Sequence, residues 1–413
     1  MITRRTVLKT GGAAALAAGG SLGVPGLLRY ARGETPIKIG ATLSMTGNTA
    51  LAGEEMANCT KLAVEHINEK GGVLGRKVEA VIRDDAGNAA TGATRAKELI
   101  EKEKVDMMAG GNLGHTTHAL HQQTAPKKMI LMANAMSNEI TSVPMFSKYT
   151  FHPDITMQSA GSVIGRYAAD KLGRRWYFLV ADYAFGWACY NAFSSVLKQA
   201  KGENLGISAH PIGTADFSTY VGKIMAAQPE VLVVANAGKD QINAWKGLRE
   251  FGATEKMKVV APLFQPTSIW AVGVESVWGG YGGATFYWEA PETKWFTDVY
   301  VKKFGKPSGD DGISQYECVM ELCSAVNRAK SLSADKVIKA LEGHKFKWCK
   351  GEETWRACDH QAIQDVYVLG TKKPEKVYDT FEIVAKTGGE EIEMTCEERN
   401  HKKDAKGNWI RYQ

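Results

Sequence analysis

Ile37-Lys38-Ile39-Gly40-Ala41-Thr42-Leu43-Ser44-Met45-Thr46-Gly47 is the stretch on which the fold turns. Its first seven residues predict a strand, and Ser44 to Gly47 predict a turn. The period then changes. Ala57, Leu62, Ala63 and Ile67 fall on one side of a helix from about 50 to 70, which Gly71-Gly72 ends. A strand at 78–82 follows, with Asp84-Asp85 at its C-terminal end, then a helix over 90–104 and a strand over 105–109. The same alternation continues: helix 116–125, strand 130–132, strand 177–181, helix 187–201, strand 231–235, helix 242–251 and strand 259–260. Alternation of this kind predicts parallel sheets covered on both faces by helices, an α/β protein. The units are too many for one sheet, so two lobes are expected. Segments 293–304, 313–330 and 334–341 read as helices, and 366–369 and 381–384 as strands that need an existing sheet to join.

Composition agrees with a globular chain. Of 413 residues, 44% are hydrophobic and 23% charged, which argues against long disorder. The formal charge of +6 suggests nucleic acid or a membrane surface until its location is read. Arg4, Arg5, Lys9, Arg29 and Arg32 lie within residues 1–33, which hold no acid. Beyond them stand 46 basic against 45 acidic residues, so no nucleic-acid partner is expected. Thr3-Arg4-Arg5-Thr6-Val7-Leu8-Lys9 resembles a twin-arginine export signal. The Ala- and Gly-rich run Gly11 to Val24 is shorter than the ~20 apolar residues of a membrane span. Residues 1–33 are therefore expected to be a signal peptide, cut near Ala31-Arg32-Gly33, that sends about 380 residues to the periplasm.

Seven cysteines in an oxidising compartment predict at least one disulfide. Cys349–Cys358 is the expected pair, closing a short hairpin around Gly351. Cys318 and Cys323 are poor partners on one helix, Cys59 reads as a helix-face core residue, and no C-x-x-C is present. An odd count leaves at least one thiol free or paired between chains.

Several motifs in order carry a resemblance. They are Ser44-Met45-Thr46-Gly47, Ile67-Asn68-Glu69-Lys70-Gly71-Gly72-Val73-Leu74-Gly75-Arg76, Asp84-Asp85-Ala86-Gly87-Asn88, and Gly110-Gly111 after a strand. Phe151-His152-Pro153-Asp154 with Gln158, Asp182 with Phe185-Gly186, and Arg356-Ala357-Cys358-Asp359-His360-Gln361 continue the series. Together they resemble the leucine/isoleucine/valine-binding family of periplasmic proteins that serve ABC transporters, over about residues 36–400. The resemblance implies two Rossmann-like lobes joined by three crossovers, residues 34–156 plus 290–347 and residues 157–289 plus 348–413. It implies hinge closure on a small solute, a membrane permease as partner, a monomer, no cofactor and no enzymatic activity.

The resemblance also implies ligand-binding positions. Asn112, Leu113, His115 and Thr116 fall where the family holds a carboxylate, with Thr116 the first choice for the side-chain contact and a plain helix cap its alternative. Asn134, Ala135 and Met136 match a second binding turn, and Met45 and Asn48 lie in the first. From the other lobe come Tyr183, Phe185, Ala237 and Phe264, with Phe151 at a crossover, while Trp187 reads as lobe core. Amino-acid binders need an acid near the strand ending at Ala235. Here Asp240 is displaced towards the helix and Lys239 adds the opposite charge, so an organic acid or amide without an ammonium competes with an amino acid.

Other chemistry has little support. His115, His118 and His121 recur every three residues, but no carboxylate or Cys at matching spacing completes a metal site. Asp84 and Asp85 are adjacent on a strand, hence point to opposite faces, and suit capping of the Gly87-Asn88 turn better than acid/base work. Gly279-Gly280-Tyr281-Gly282-Gly283 has the wrong spacing for phosphate and reads as a loop. A ligand-sensing receptor of the same fold, or a metal- or cofactor-carrying exported enzyme, are the alternatives to a transport component.

Overall fold

The computed structural model describes residues 35–410, Lys376 excepted. The export-signal residues 1–33 lie outside the described residues. Two sheets organise the molecule, the first parallel throughout and the second parallel but for its last two strands. The first contains β1 (Ile37–Leu43), β2 (Val78–Asp84), β3 (Met107–Gly110), β4 (Leu131–Ala133) and β5 (Thr150–Phe151), in the order β2-β1-β3-β4-β5. The second is built from β6 (Arg175–Ala181), β7 (Glu203–His210), β8 (Val231–Ala235), β9 (Lys258–Ala261) and β10 (Gly280–Ala284). A small antiparallel sheet of β11 (Lys345–Phe346), β12 (Glu353–Trp355) and β13 (Ala362–Ile363) stands apart. The last strands, β14 (Val366–Thr371) and β15 (Phe381–Thr387), then complete the second sheet in the order β15-β14-β10-β9-β8-β6-β7.

Burial follows strand type. β8, Val231-Leu232-Val233-Val234-Ala235, is buried at every position, as a central strand with helices on both faces must be. The Ala50–Glu69 helix buries Met56, Cys59, Leu62, Ala63 and Ile67, and the Asp310–Ala329 helix packs along it. The chain therefore returns to the first sheet after making most of the second. It crosses again at an isolated bridge between His152 and Gln361, where two crossing segments run side by side.

The glycine-rich stretch read as a loop is instead strand β10. Its glycines lower strand propensity but fit the place. A Cβ on Gly282 would lie 2.6 Å from the Phe264 ring, and one on Gly280 2.7 Å from Trp245. Large rings approach the sheet face so closely that no side chain fits beneath them.

The disulfide expectation is overturned. Cys358 pairs with Cys396, and Cys349 is a free, buried thiol. The reason is topological. Cys349 lies in the turn entering β12 and Cys358 in the turn leaving it, so the two occupy opposite ends of one strand. The Cys349 amide donates to Glu317 (3.1 Å), and its thiol also faces that carboxylate. The 356–361 turn meets the C-terminal tail instead. There Arg399, fully buried, reaches Asp359 (3.3 Å) and Glu393 (2.5 Å), and its guanidinium also donates to Thr141 Oγ1.

Three expectations follow. Denatured, unreduced protein will titrate five free thiols, four in Cys349→Ser. Cys358→Ser will lower unfolding free energy by about 4 kcal/mol, because the bridge closes a loop spanning 38 residues. Gly282→Val will destabilise by roughly 1–3 kcal/mol through overpacking against Phe264, read by denaturant titration.

Candidate functional site

Because parallel strands all end at one edge, the loops of each sheet gather there, and helices begin there. The two edges face each other across a cavity lined by residues from both. One wall holds Thr49 and Ala52 after β1, Asn112 to Gly114 after β3, Met136 after β4, Asp154 after β5, and Asp311 at the start of the Asp310–Ala329 helix. The other holds Tyr183 and Phe185 after β6, Asn236, Ala237 and Gln241 after β8, and Leu263 and Gln265 after β9. Tyr183 and Phe185 stack at 5.9 Å between centroids and, with Met136, Leu113 and Leu263, give the cavity an apolar side.

Of the residues expected to bind ligand, Asn112, Leu113, Met136, Tyr183, Phe185 and Ala237 line this cavity. His115 lines an adjoining chamber that shares Gly114, Met136, Tyr183 and Phe185 with it. The others have structural partners. Thr116 is fully buried and its hydroxyl donates to Leu113 O (3.1 Å), a contact within its own helix end. Asn134 accepts from Ser314 (3.0 Å), behind Asp311. The Ala135 carbonyl meets the His152 ring, and the Met45 amide donates to Asp84 (2.9 Å). Phe151 stacks on His360 at 3.9 Å, and Phe264 is buried among Trp245 and Phe381. Trp187 is not lobe core: it is 37% exposed and donates to Asp182 (2.8 Å).

Asn48 and Asp240 join the two walls. The Asn48 amide donates to Ala237 O (3.2 Å) and Asp240 Oδ2 (3.4 Å), and Lys239 N donates back to Asn48 O (3.1 Å). Asp240 itself accepts from Gly213 N at 2.9 Å and does not line the cavity. Gln265 makes a second link, accepting from Gly238 N (2.9 Å) and donating to Asp311 Oδ2 (3.3 Å). The two edges are thus in contact, a closed arrangement.

The histidine series does not converge. His115 faces Gly87 O, His118 faces Ser137, and His121 faces Thr150. Among the described residues the one cluster with ligand-like geometry is Cys358, Asp359 and Cys396, whose thiols form the disulfide. Asp84 and Asp85 accept from Ala86 N and Gly87 N (2.9 Å each), holding the turn.

Sequence reasoning passed over Asp154, Asn236, Gln241, Gln265 and Asp311. Asp154 belongs to the Phe151-His152-Pro153-Asp154 motif, but its place three residues past the strand carried no sign of its direction. Burial raises the Asp154 carboxyl to about 7, with Asp310 and Glu393 adding to the shift and Lys350 opposing it. Burial likewise holds Asp311 well above the usual range, helped by Glu55, Asp154 and Asp310. Asp310 is pushed up to about 6 by burial, against hydrogen bonds from Thr285 and Phe286.

The cavity can hold a small solute with a polar end and an apolar body, and its walls must part to admit one. The comparisons fit this architecture. The family model described as periplasmic binding protein matches residues 36–375. A Leu/Ile/Val-binding protein homolog 7 of Brucella melitensis is 26% identical over 351 residues, covering 78% of this chain and 87% of the relative. The crystal structure of a periplasmic binding protein from Burkholderia mallei superposes with a TM-score of 0.81 at 28% identity, covering 88% of this chain and 97% of that one. An amino acid ABC transporter substrate-binding protein from Pseudomonas fluorescens Pf-5 gives 0.80 at 25% identity, with 86% and 96% covered. The α/β architecture matches the type I periplasmic binding protein fold of these structures. The chain belongs to the periplasmic binding protein family.

A pH dependence follows from the raised carboxyls. The folded state holds protons on Asp154 and Asp310 that the unfolded chain releases near pH 4. Their contribution to stability is complete below that pH and is lost as pH rises through about 7. Ligand-free protein will therefore lose unfolding free energy between pH 5 and 8, and Asp154→Asn will flatten part of that slope.

Proposed function

We propose that this chain is the solute-capturing component of an ABC transporter of the branched-chain amino-acid type. It would be exported by the twin-arginine route, act as a monomer in the periplasm, and deliver its solute to a membrane permease. The reading rests on one observation: two α/β lobes present the C-terminal ends of their strands to a shared cavity, and Asn48 reaches across to Ala237 and Asp240. That hydrogen bond forms only when the lobes meet, so binding and closure are coupled. Residues 34–156 plus 290–347 and 157–289 plus 348–413 are the bodies we assign to the hinge motion. Among the described residues no helix is long and apolar enough to cross a membrane, which accords with capture away from the permease. The family consists of solute-binding proteins, and the mechanism proposed here needs no covalent step.

The fine choice of solute falls to the cavity lining, where Asn112, Leu113, Met136, Tyr183, Phe185 and Ala237 are the expected contacts retained. The test is a thermal-shift and small-angle scattering screen over amino acids, organic acids, amides and amines. A bound solute will raise the melting temperature by mass action and reduce the radius of gyration. Asn48→Ala will weaken that solute about fivefold to tenfold, the worth of a hydrogen bond of ~1 kcal/mol, because closure loses its latch. Folded protein that answers to none of the four classes overturns the proposal.

A further inference from the structure

Beyond the class of solute receptor, the cavity has a distinct electrostatic character. Asp154 and Asp311 line it, and no Lys, Arg or His stands among its lining residues in the described part of the chain. Both carboxylates retain partial exposure, and Asp311 receives one side-chain donor, Gln265 Nε2. Two neutral acceptors join them. Gln241 is 1% exposed, and its amide nitrogen donates to Asn236 O (3.3 Å) and Leu263 O (3.4 Å), which fixes the orientation of the amide. Its Oε1 is consequently turned away from both carbonyls and has no partner. Asn236, also 1% exposed, leaves Oδ1 without one. A buried acceptor left unmade is destabilising by about 1–3 kcal/mol in ordinary cases, and here two belong to the residues of one cavity.

Among the described side-chain donors on the same walls none carries a positive charge, and Tyr183 contributes a hydroxyl. Asn112 is already engaged, its Oδ1 accepting from Ser44 N (3.2 Å) and its Nδ2 donating weakly to Thr49 (3.5 Å). Asp240, the acid expected to meet a ligand ammonium, is taken up by Gly213 and Asn48 outside the cavity. The two carboxylates sit on the first wall, opposite Tyr183 and Phe185, and the Asn236 and Gln241 acceptors share the second wall with those rings.

We infer that the solute is an organic cation, whose ammonium N–H groups seat against Asp154 and Asp311 and whose apolar body lies against Tyr183 and Phe185. This rests on the solute-binding reading and reverses the sequence expectation that an acid or amide without ammonium competes for the site. An ammonium supplies three donors and a positive charge to two carboxyl groups that each accept from one neutral donor, Ile155 N at Asp154 (2.8 Å) and Gln265 Nε2 at Asp311, whereas a carboxylate solute brings neither. The carboxyls of Asp154 and Asp311 are raised by burial and by Glu55, Asp310 and Glu393, with Lys350 opposing at Asp154. A cation holds them ionised, so its binding releases protons and tightens as pH rises.

Four probes that share an isobutyl body separate the possibilities: isoamylamine, L-leucine, isocaproamide and isocaproate. Calorimetry on the full chain will show isoamylamine binding at least tenfold tighter than isocaproamide, with isocaproate weakest. Affinity for the amine will fall about tenfold from pH 8 to pH 6, and proton release will show in buffers of different ionisation enthalpy. Asp154→Asn and Asp311→Asn will each weaken the amine at least tenfold, and Asp154→Asn will flatten the pH profile. Circular dichroism and melting temperature establish that each variant is folded. If Asp311→Asn does not fold, the Asp154→Asn variant and the pH series still decide. Tighter binding and cleft closure with isocaproate or isocaproamide overturn the cation assignment and leave the receptor reading standing. Equal affinity for amine and amide, or an unchanged pH profile in Asp154→Asn, overturns it as well. No closure with any of the four, or with the wider screen, overturns both.

Discussion

In a parallel sheet every strand ends at the same edge, and this constraint organises the molecule. It puts the turns after β1, β3, β4 and β5 on one side and those after β6, β8 and β9 on the other. Helix starts follow those turns, so the free N–H groups and small polar residues collect where the two edges meet. The hydrophobic interior lies elsewhere, under strands such as β8 that are buried throughout. The cavity is a by-product of topology. What fills it is decided by side chains that the sheets leave free to vary.

The crossovers have a different logic. They are irregular backbone in a buried place, and their polar groups need partners. Arg399, Asp359, Glu393, Gln361 and His152 supply them. Gln361 donates to Asp154 O (2.6 Å), and Ser159 donates to Glu393 (2.5 Å). Removing one member would leave buried charge unmatched, which is more damaging than never having had the network. The Cys358–Cys396 bridge secures the same neighbourhood covalently.

Much of the fold was legible in the sequence because its signals are periodic. Ile37–Leu43, the Ala57/Leu62/Ala63/Ile67 face and the Gly71-Gly72 stop each state their role locally. Gly280–Ala284 was not legible, because its glycines answer to Trp245 and Phe264, which are distant in sequence. The partner of Cys358 was equally hidden, since spacing cannot tell which end of β12 a cysteine will occupy. In the site, Asn112, Leu113, Tyr183 and Phe185 were readable as residues following strands. Gln241 enters from the second turn of a helix, and Asp311 arrives 46 residues after its partner Gln265 and 157 after Asp154; neither leaves a local trace. Asp240 was misplaced for a related reason, for its side chain folds back on Gly213.

The antiparallel return of β14 onto β10 also sets an order of events during folding. Gly280 and Thr371, hydrogen-bonded at 3.1 Å, are 91 residues apart in the chain. Between them the chain makes the Asp310–Ala329 helix, which belongs against the Ala50–Glu69 helix of the other lobe. Neither lobe can be finished before the other is well advanced, so the two should fold as one slow, cooperative unit rather than in succession.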